Sequence, residues 1–225
     1  MGAVHRNNRR TRLLHAGVYL TTFVLLATGW WLLAGKEGDP SALATMLDAP
    51  DTRIHEWAGY ALAALSAIAL AFGLRAAGTF VLQSVRFERG DLGWFARWPA
   101  AVFTGRFGRH TGHFDPGQRI ANVVMVGALI VLIVSGIGLV VVSGGTAFVW
   151  FLRLHKWSTY VLTPVVAGHV LVALGILPGY RGVWRAMHLS GHVPEQTARR
   201  LWPAWAERKL SQEEPTGATP PPRTG

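Results

Sequence analysis

The sequence contains no cysteine in 225 residues. That excludes a cysteine-ligated iron–sulfur cluster, a thioether-linked haem and a disulfide framework within this chain. Acid is scarce too: 12 Asp+Glu stand against 22 Lys+Arg, for a formal net charge of +10, and charged residues of both signs make up only 15%. What fills the space is apolar. Half the residues are hydrophobic, and the mean hydropathy is +0.27. A basic balance can signal nucleic acid, but here the arginines flank long apolar runs instead of clustering on one polar face. The composition describes a multi-span membrane protein with basic loops, in contact with lipid and not with nucleic acid.

Four apolar stretches are long enough to consider. Arg6, Arg9, Arg10 and Arg12 precede residues 13–34, which are uncharged and hold one imidazole, His15. Such a run spans a hydrocarbon core of about 30 Å at roughly 1.5 Å per residue. A basic start also describes a signal peptide, but this run is too long and no small-x-small cleavage site follows it, so it reads as a retained helix. Residues 53–74 form a second stretch, with His55 in the first turn and Arg75 closing it. Residues 120–142 form a third, where Ser135, Gly136 and Gly138 allow close helix approach. The fourth, 148–177, holds His155 and His169 and stops at Pro178-Gly179. Pro164 lies between those histidines and predicts a kink. The expected fold class is therefore all-α, an integral membrane four-helix bundle.

Loop charge orients it. The N-terminus, the segment 75–119 and the tail 178–210 are arginine-rich, whereas the loop after the first stretch carries Glu37, Asp39, Asp48 and Asp51 against Lys36. The positive-inside rule then puts both termini in the cytoplasm. His15 falls near the inner surface and His55 near the outer one. His155 and His169 lie fourteen residues apart on one segment, which brings their side chains to within about 40° of each other and roughly 21 Å apart along the axis. His155 is then outer and His169 inner.

The four histidines thus sort into two pairs by depth, His55 with His155 and His15 with His169. Ionisable groups inside a membrane are functional by default, and neutral imidazole is the commonest metal ligand among side chains. Two bis-histidine b haems stacked across the bilayer follow from the match of levels. His5, His110, His113, His188 and His192 lie in loops or tails and are expected to be solvated.

Around the outer pair, Arg53-Ile-His55-Glu-Trp57 and Arg153-Leu-His155-Lys-Trp157 repeat one pattern. Each arginine sits two residues outward of its histidine, placed for a haem propionate or as an interfacial anchor. The segment 75–119 reads as interfacial structure. It ends in Asp115-Pro116-Gly117-Gln118-Arg119, which composition alone reads as a turn and helix cap. The residues from 211 onward are Glu, Pro, Thr and Gly, and disorder is expected for 211–225.

The four histidines in order, the Gly117-Gln118-basic motif and the tail around Ala198-Arg199-Arg200-Leu201-Trp202-Pro203-Ala204-Trp205 carry a resemblance. The chain resembles the cytochrome b (gamma) subunit of membrane-bound formate dehydrogenase, within the wider di-haem cytochrome b family. The resemblance implies a multi-pass subunit of a prokaryotic inner membrane, a respiratory-chain oxidoreductase component. It would take electrons from an outer iron–sulfur subunit served by a molybdenum or tungsten catalytic subunit. They would pass from the His55/His155 haem to the His15/His169 haem and on to menaquinone or ubiquinone, with assembly into a higher oligomer in prospect. By the same resemblance Gly117, Gln118 and His169 line the quinone site, together with Asp115, where the family usually has asparagine; Arg119 stands just after them where the family usually has lysine. Substrate oxidation belongs to the partner, and this chain's enzymatic part is electron transfer and quinone reduction. Two alternatives stay open. One is the haem anchor of a thiosulfate reductase or hydrogenase, or a stand-alone quinone-reducing cytochrome b; the other is a haem-free assembly or transport protein.

Overall fold

The computed structural model describes residues 2–35 and 39–213. Lys36 and Glu37, and residues 214–225 of the expected disordered tail, lie outside the described residues. Four long helices dominate: α1 (Arg9–Leu33), α3 (Asp51–Val85), α5 (Pro116–Val141) and α6 (Gly145–Ala173). A short α2 (Ala42–Leu47) links the first two, and α4 (Asp91–Thr104) lies between α3 and α5. After a 3-10 turn at Pro178–Tyr180 come α7 (Arg185–His188), α8 (Glu195–Leu201) and α9 (Pro203–Glu213). The fold is nearly all-α. Its one sheet among the described residues is a pair of three-residue strands, β1 (Ala3–His5) and β2 (His192–Pro194), antiparallel with Val4 opposite Val193.

Local chemistry sets two of the helix starts. The Asn8 side chain accepts from the Thr11 amide to cap α1, and the Asp115 side chain accepts from the Gln118 amide to cap α5, with Pro116 in its first turn. Three helices among the described residues, α1, α3 and α5, are long and apolar enough to cross a membrane. α6 has the length but carries Arg153, His155, Lys156 and His169, which dilute its apolar character. It continues through Pro164 without interruption.

α3 departs from expectation at its far end. It runs past Arg75 to Val85, 35 residues in all, or about 52 Å at 1.5 Å per residue. A single arginine does not stop a helix whose backbone bonds are satisfied internally. Gly73 departs from helical dihedrals within it, at φ −133° and ψ 22°, and kinks the helix there.

The long helices pair as α1 on α3 and α5 on α6, with α3 touching α5. Small residues permit the closest approach: a Cβ on Gly138 would lie 2.6 Å from the Phe151 ring, and one on Gly17 would lie 3.1 Å from Leu65. Side chains bridge from α1 to α6, where the Trp30 indole donates to Thr163 Oγ1 at 3.0 Å. Many large apolar residues on these helices are exposed, Phe72 at 90% among them, as expected of surfaces that face lipid.

The best-buried apolar cluster sits elsewhere. Val4, Val102, Tyr180, Val193, Ala198, Leu201, Trp202 and Trp205 pack together with Trp98 and Phe107, joining the N-terminal strand, α4 and the C-terminal helices into a cap. A buried Arg119 fastens that cap to α5, donating to the Asp91 carboxylate and the Arg86 carbonyl. Asn122 donates to Ser84 Oγ at 3.1 Å beside it.

Candidate haem and quinone sites

The structure brings the four depth-matched histidines together in the expected pairs. The rings of His55 and His155 lie 6.1 Å apart between centroids, and those of His15 and His169 lie 6.3 Å apart. α3 and α6 supply the first pair, α1 and α6 the second.

At the His55/His155 level, each ring rests on a hydroxyl from a neighbouring helix. Thr28 Oγ1 is 2.8 Å from His55 Nδ1, and Ser135 Oγ is 3.0 Å from His155 Nδ1. Beside each hydroxyl a glycine leaves room for the ring: a Cβ on Gly29 would lie 3.2 Å from His55 Cε1, and one on Gly136 would lie 3.3 Å from His155 Cε1. Arg53 and Arg153 each have a partner of their own. Arg53 is paired with Glu56 at 3.0 Å on its own helix, and Arg153 stacks over Trp150 at 5.3 Å.

The His15/His169 level is built differently. His188, from the tail segment α7, stands 6.0 Å from His15 and 5.7 Å from Tyr19 by ring centroids. Arg12 holds that segment by donating to the Met187 and Leu189 carbonyls, and Asn7 donates to the Ala186 carbonyl at 3.0 Å. A cleft of about 200 Å³ opens beside it, lined by Arg9, Arg12, Tyr19, Met187 and His188. His15 Nδ1 is buried without a hydrogen-bond partner among the described residues.

The Asp115–Arg119 motif is only partly free to meet a ligand. Asp115 is buried and spends one oxygen on the Gln118 amide at 2.8 Å. Burial raises its pKa, against the Gln118 hydrogen bond and the charges of His110, Arg6 and Arg119. The Trp94 ring covers Gly117, where a Cβ would meet it at 2.9 Å. Gln118 Oε1, by contrast, is buried and has no partner among the described residues. Arg6 lies over both Trp202 and Trp205 at 4.3 and 4.2 Å, and burial lowers its pKa to about 9.

Two of the histidines expected in solvent are not there. His110 is buried, with Nε2 2.8 Å from the Leu201 carbonyl, because the segment after α4 folds under α8. His113 is half-buried against Phe114 and Trp205. His5 and His192 are exposed and face each other across the strand pair. His188 is exposed yet packs on His15. Sequence reasoning missed Thr28, Gly29 and His188 as neighbours of the candidate ligands, and read Ser135 and Gly136 only as packing residues. The echo of Thr28-Gly29 in Ser135-Gly136 was the available signal.

The donor geometry can be tested against iron. A metal held between two imidazole nitrogens at about 2.0–2.1 Å each, with each nitrogen about 1.1 Å from its ring centre, needs ring centres roughly 6 Å apart. Both pairs meet that requirement. Two imidazoles alone leave a bare ion under-coordinated, and no cluster of three or more ligands for such an ion occurs among the described residues. A macrocycle that supplies the remaining four ligands fits this donor set. No curated relative matches the chain. A family model described as prokaryotic cytochrome b561 matches residues 6–189, which include both histidine pairs and His188, and the family binds haem b. The chain belongs to the prokaryotic cytochrome b561 family and is a haem b membrane cytochrome of electron transfer.

Proposed function

We propose that this chain is the di-haem cytochrome b subunit that anchors a respiratory formate dehydrogenase in a prokaryotic inner membrane. In this reading α6 is the fourth span, the bundle has four helices and both termini are cytoplasmic. The observation that carries it is the pair of imidazole pairs, nearly equal in spacing, whose α6 members His155 and His169 lie fourteen residues apart on that helix. His55 and His155 hold the outer haem, His15 and His169 the inner. Bound there, two b haems supply one-electron carriers in series between an outer iron–sulfur subunit, fed by a molybdenum or tungsten catalytic subunit, and menaquinone or ubiquinone. Arg53 and Arg153 balance propionate charge at the outer level.

The quinone headgroup is assigned to Asp115, Gly117, Gln118 and His169. The buried, unpartnered Gln118 Oε1 supports this, since an unpaired buried acceptor is costly unless a ligand or water meets it. Burial also favours the protonated Asp115 carboxyl, which can donate a hydrogen bond to a carbonyl. Reduction to quinol takes two electrons from the outer side and two protons from the cytoplasm, and so builds a membrane potential.

Formate added to membranes that contain the complex tests the reading. The b-type absorbance should become reduced, and Gln118→Ala should slow quinol formation while the haems still reduce. The family match names the cytochrome and no dehydrogenase, which favours a second reading. The chain would then anchor a thiosulfate reductase or hydrogenase, or act as a stand-alone quinone-linked cytochrome b. Reduction by one of those enzymes' donors and not by formate would select it.

A further inference from the structure

We infer that Thr28 and Ser135 are positioning residues that fix the tautomer of the outer imidazole pair and lower the reduction potential of the iron held there. The inference rests on the reading that His55 and His155 are ligands.

Each hydroxyl has one proton to give. Thr28 Oγ1 lies 2.7 Å from the Val24 carbonyl and Ser135 Oγ lies 2.6 Å from the Val131 carbonyl, four residues back in each case. With that proton spent on the helix, the hydroxyl oxygen can only accept from the imidazole. His55 Nδ1, at 2.8 Å, and His155 Nδ1, at 3.0 Å, therefore carry the hydrogen. Nε2 on each ring is left with a bare lone pair, the form an iron ligand requires.

The device occurs twice in the same arrangement. On α1 the dipeptide Thr28-Gly29 receives the histidine of α3, and on α5 Ser135-Gly136 receives the histidine of α6. The glycine removes the one side-chain atom that would crowd Cε1. Back-bonding alone does not account for it, since Thr21 and Ser66 bond the Gly17 and Leu62 carbonyls in the same way without a histidine ring. At the inner level His15 Nδ1 has no such acceptor among the described residues. An acceptor on Nδ1–H makes the ligating nitrogen more basic and stabilises the oxidised metal.

The test is a potentiometric titration in a His15→Ala background, where only the outer haem remains. Thr28→Val and Ser135→Ala should each shift its equilibrium several-fold toward the reduced form at a fixed potential, tenfold being about 59 mV for one electron. Thr28→Ser and Ser135→Thr keep the acceptor and should titrate like the background. Ser66→Ala loses only a helix back-bond and should do the same. In the full protein, which serves if the His15→Ala chain fails to fold, the double variant should move one of two low-spin electron paramagnetic resonance signals. Unmoved potential and signal in the double variant would overturn the inference while the ligand assignment stands. Retention of both haems in His55→Ala would overturn the ligand assignment itself.

Discussion

The two histidine pairs have nearly the same spacing, 6.1 and 6.3 Å, and quite different support. The outer pair is braced by hydroxyls and glycines on α1 and α5, so everything that holds it lies within the long helices. The pair assigned to the inner level leans on the cap, through His188, the Arg12 clamp and the β1–β2 strand pair. The difference separates what each site depends on. The outer one survives as long as the helices pack, and the inner one also needs the tail to fold.

Removing ligands should show the largest effect. His55→Ala and His15→Ala should each halve the b haem content, measured per chain, and leave the other level intact. Retention of both haems in either variant would undo the pairing.

Weakening the cap should come next. Asp91→Asn leaves Arg119 buried without its carboxylate, and breaking a buried pair costs about 3–5 kcal/mol. Thermal melts followed at the two haem signals should show the inner haem lost at lower temperature than in the parent, with the outer one little changed. Equal losses at both levels would contradict the division.

Acid should separate the levels in the same sense by a smaller margin. Burial, followed by the charges of Arg6 and Arg208, lowers the His113 pKa from 6.5 to about 4. The fold favours neutral imidazole, so the stability it contributes is present above about 6.5 and is lost as pH falls from there toward about 4. Asp115, raised by burial, works in the opposite direction. His113→Gln should flatten the acid loss of the inner signal, as read by melts between those pH values.

The smallest effect should come from the outer arginines. Arg53 is already paired with Glu56 and is largely exposed, so Arg53→Gln should shift the outer haem potential less than Arg153→Gln. The potentiometric titration that tests Thr28 and Ser135 reads both.

Much of this was legible in the residues, for reasons that divide along the same line. Helical periodicity and loop charge are local, and they sufficed to pair His55 with His155 and His15 with His169. Family membership then set aside the haem-free alternative. Contacts between distant segments were not legible. His188 meets His15 where the tail is tied back to the N-terminal segment, by Arg12, Asn7 and the pairing of residues 3–5 with 192–194, and His110 is buried where it meets the Leu201 carbonyl. The expected end of the second stretch at residue 74 falls beside the kink at Gly73, and the further helical turns to Val85 were not read from the sequence. The Asp115 motif was weighed as both cap and ligand site, and it does cap α5, with Gln118 Oε1 left over.

The central claim is two haem levels on one chain. A pyridine haemochrome assay on the purified protein, with a dithionite-reduced minus oxidised spectrum, measures it directly. The account predicts two b haems per chain. One haem or none, in protein made with ample haem supply, would contradict it.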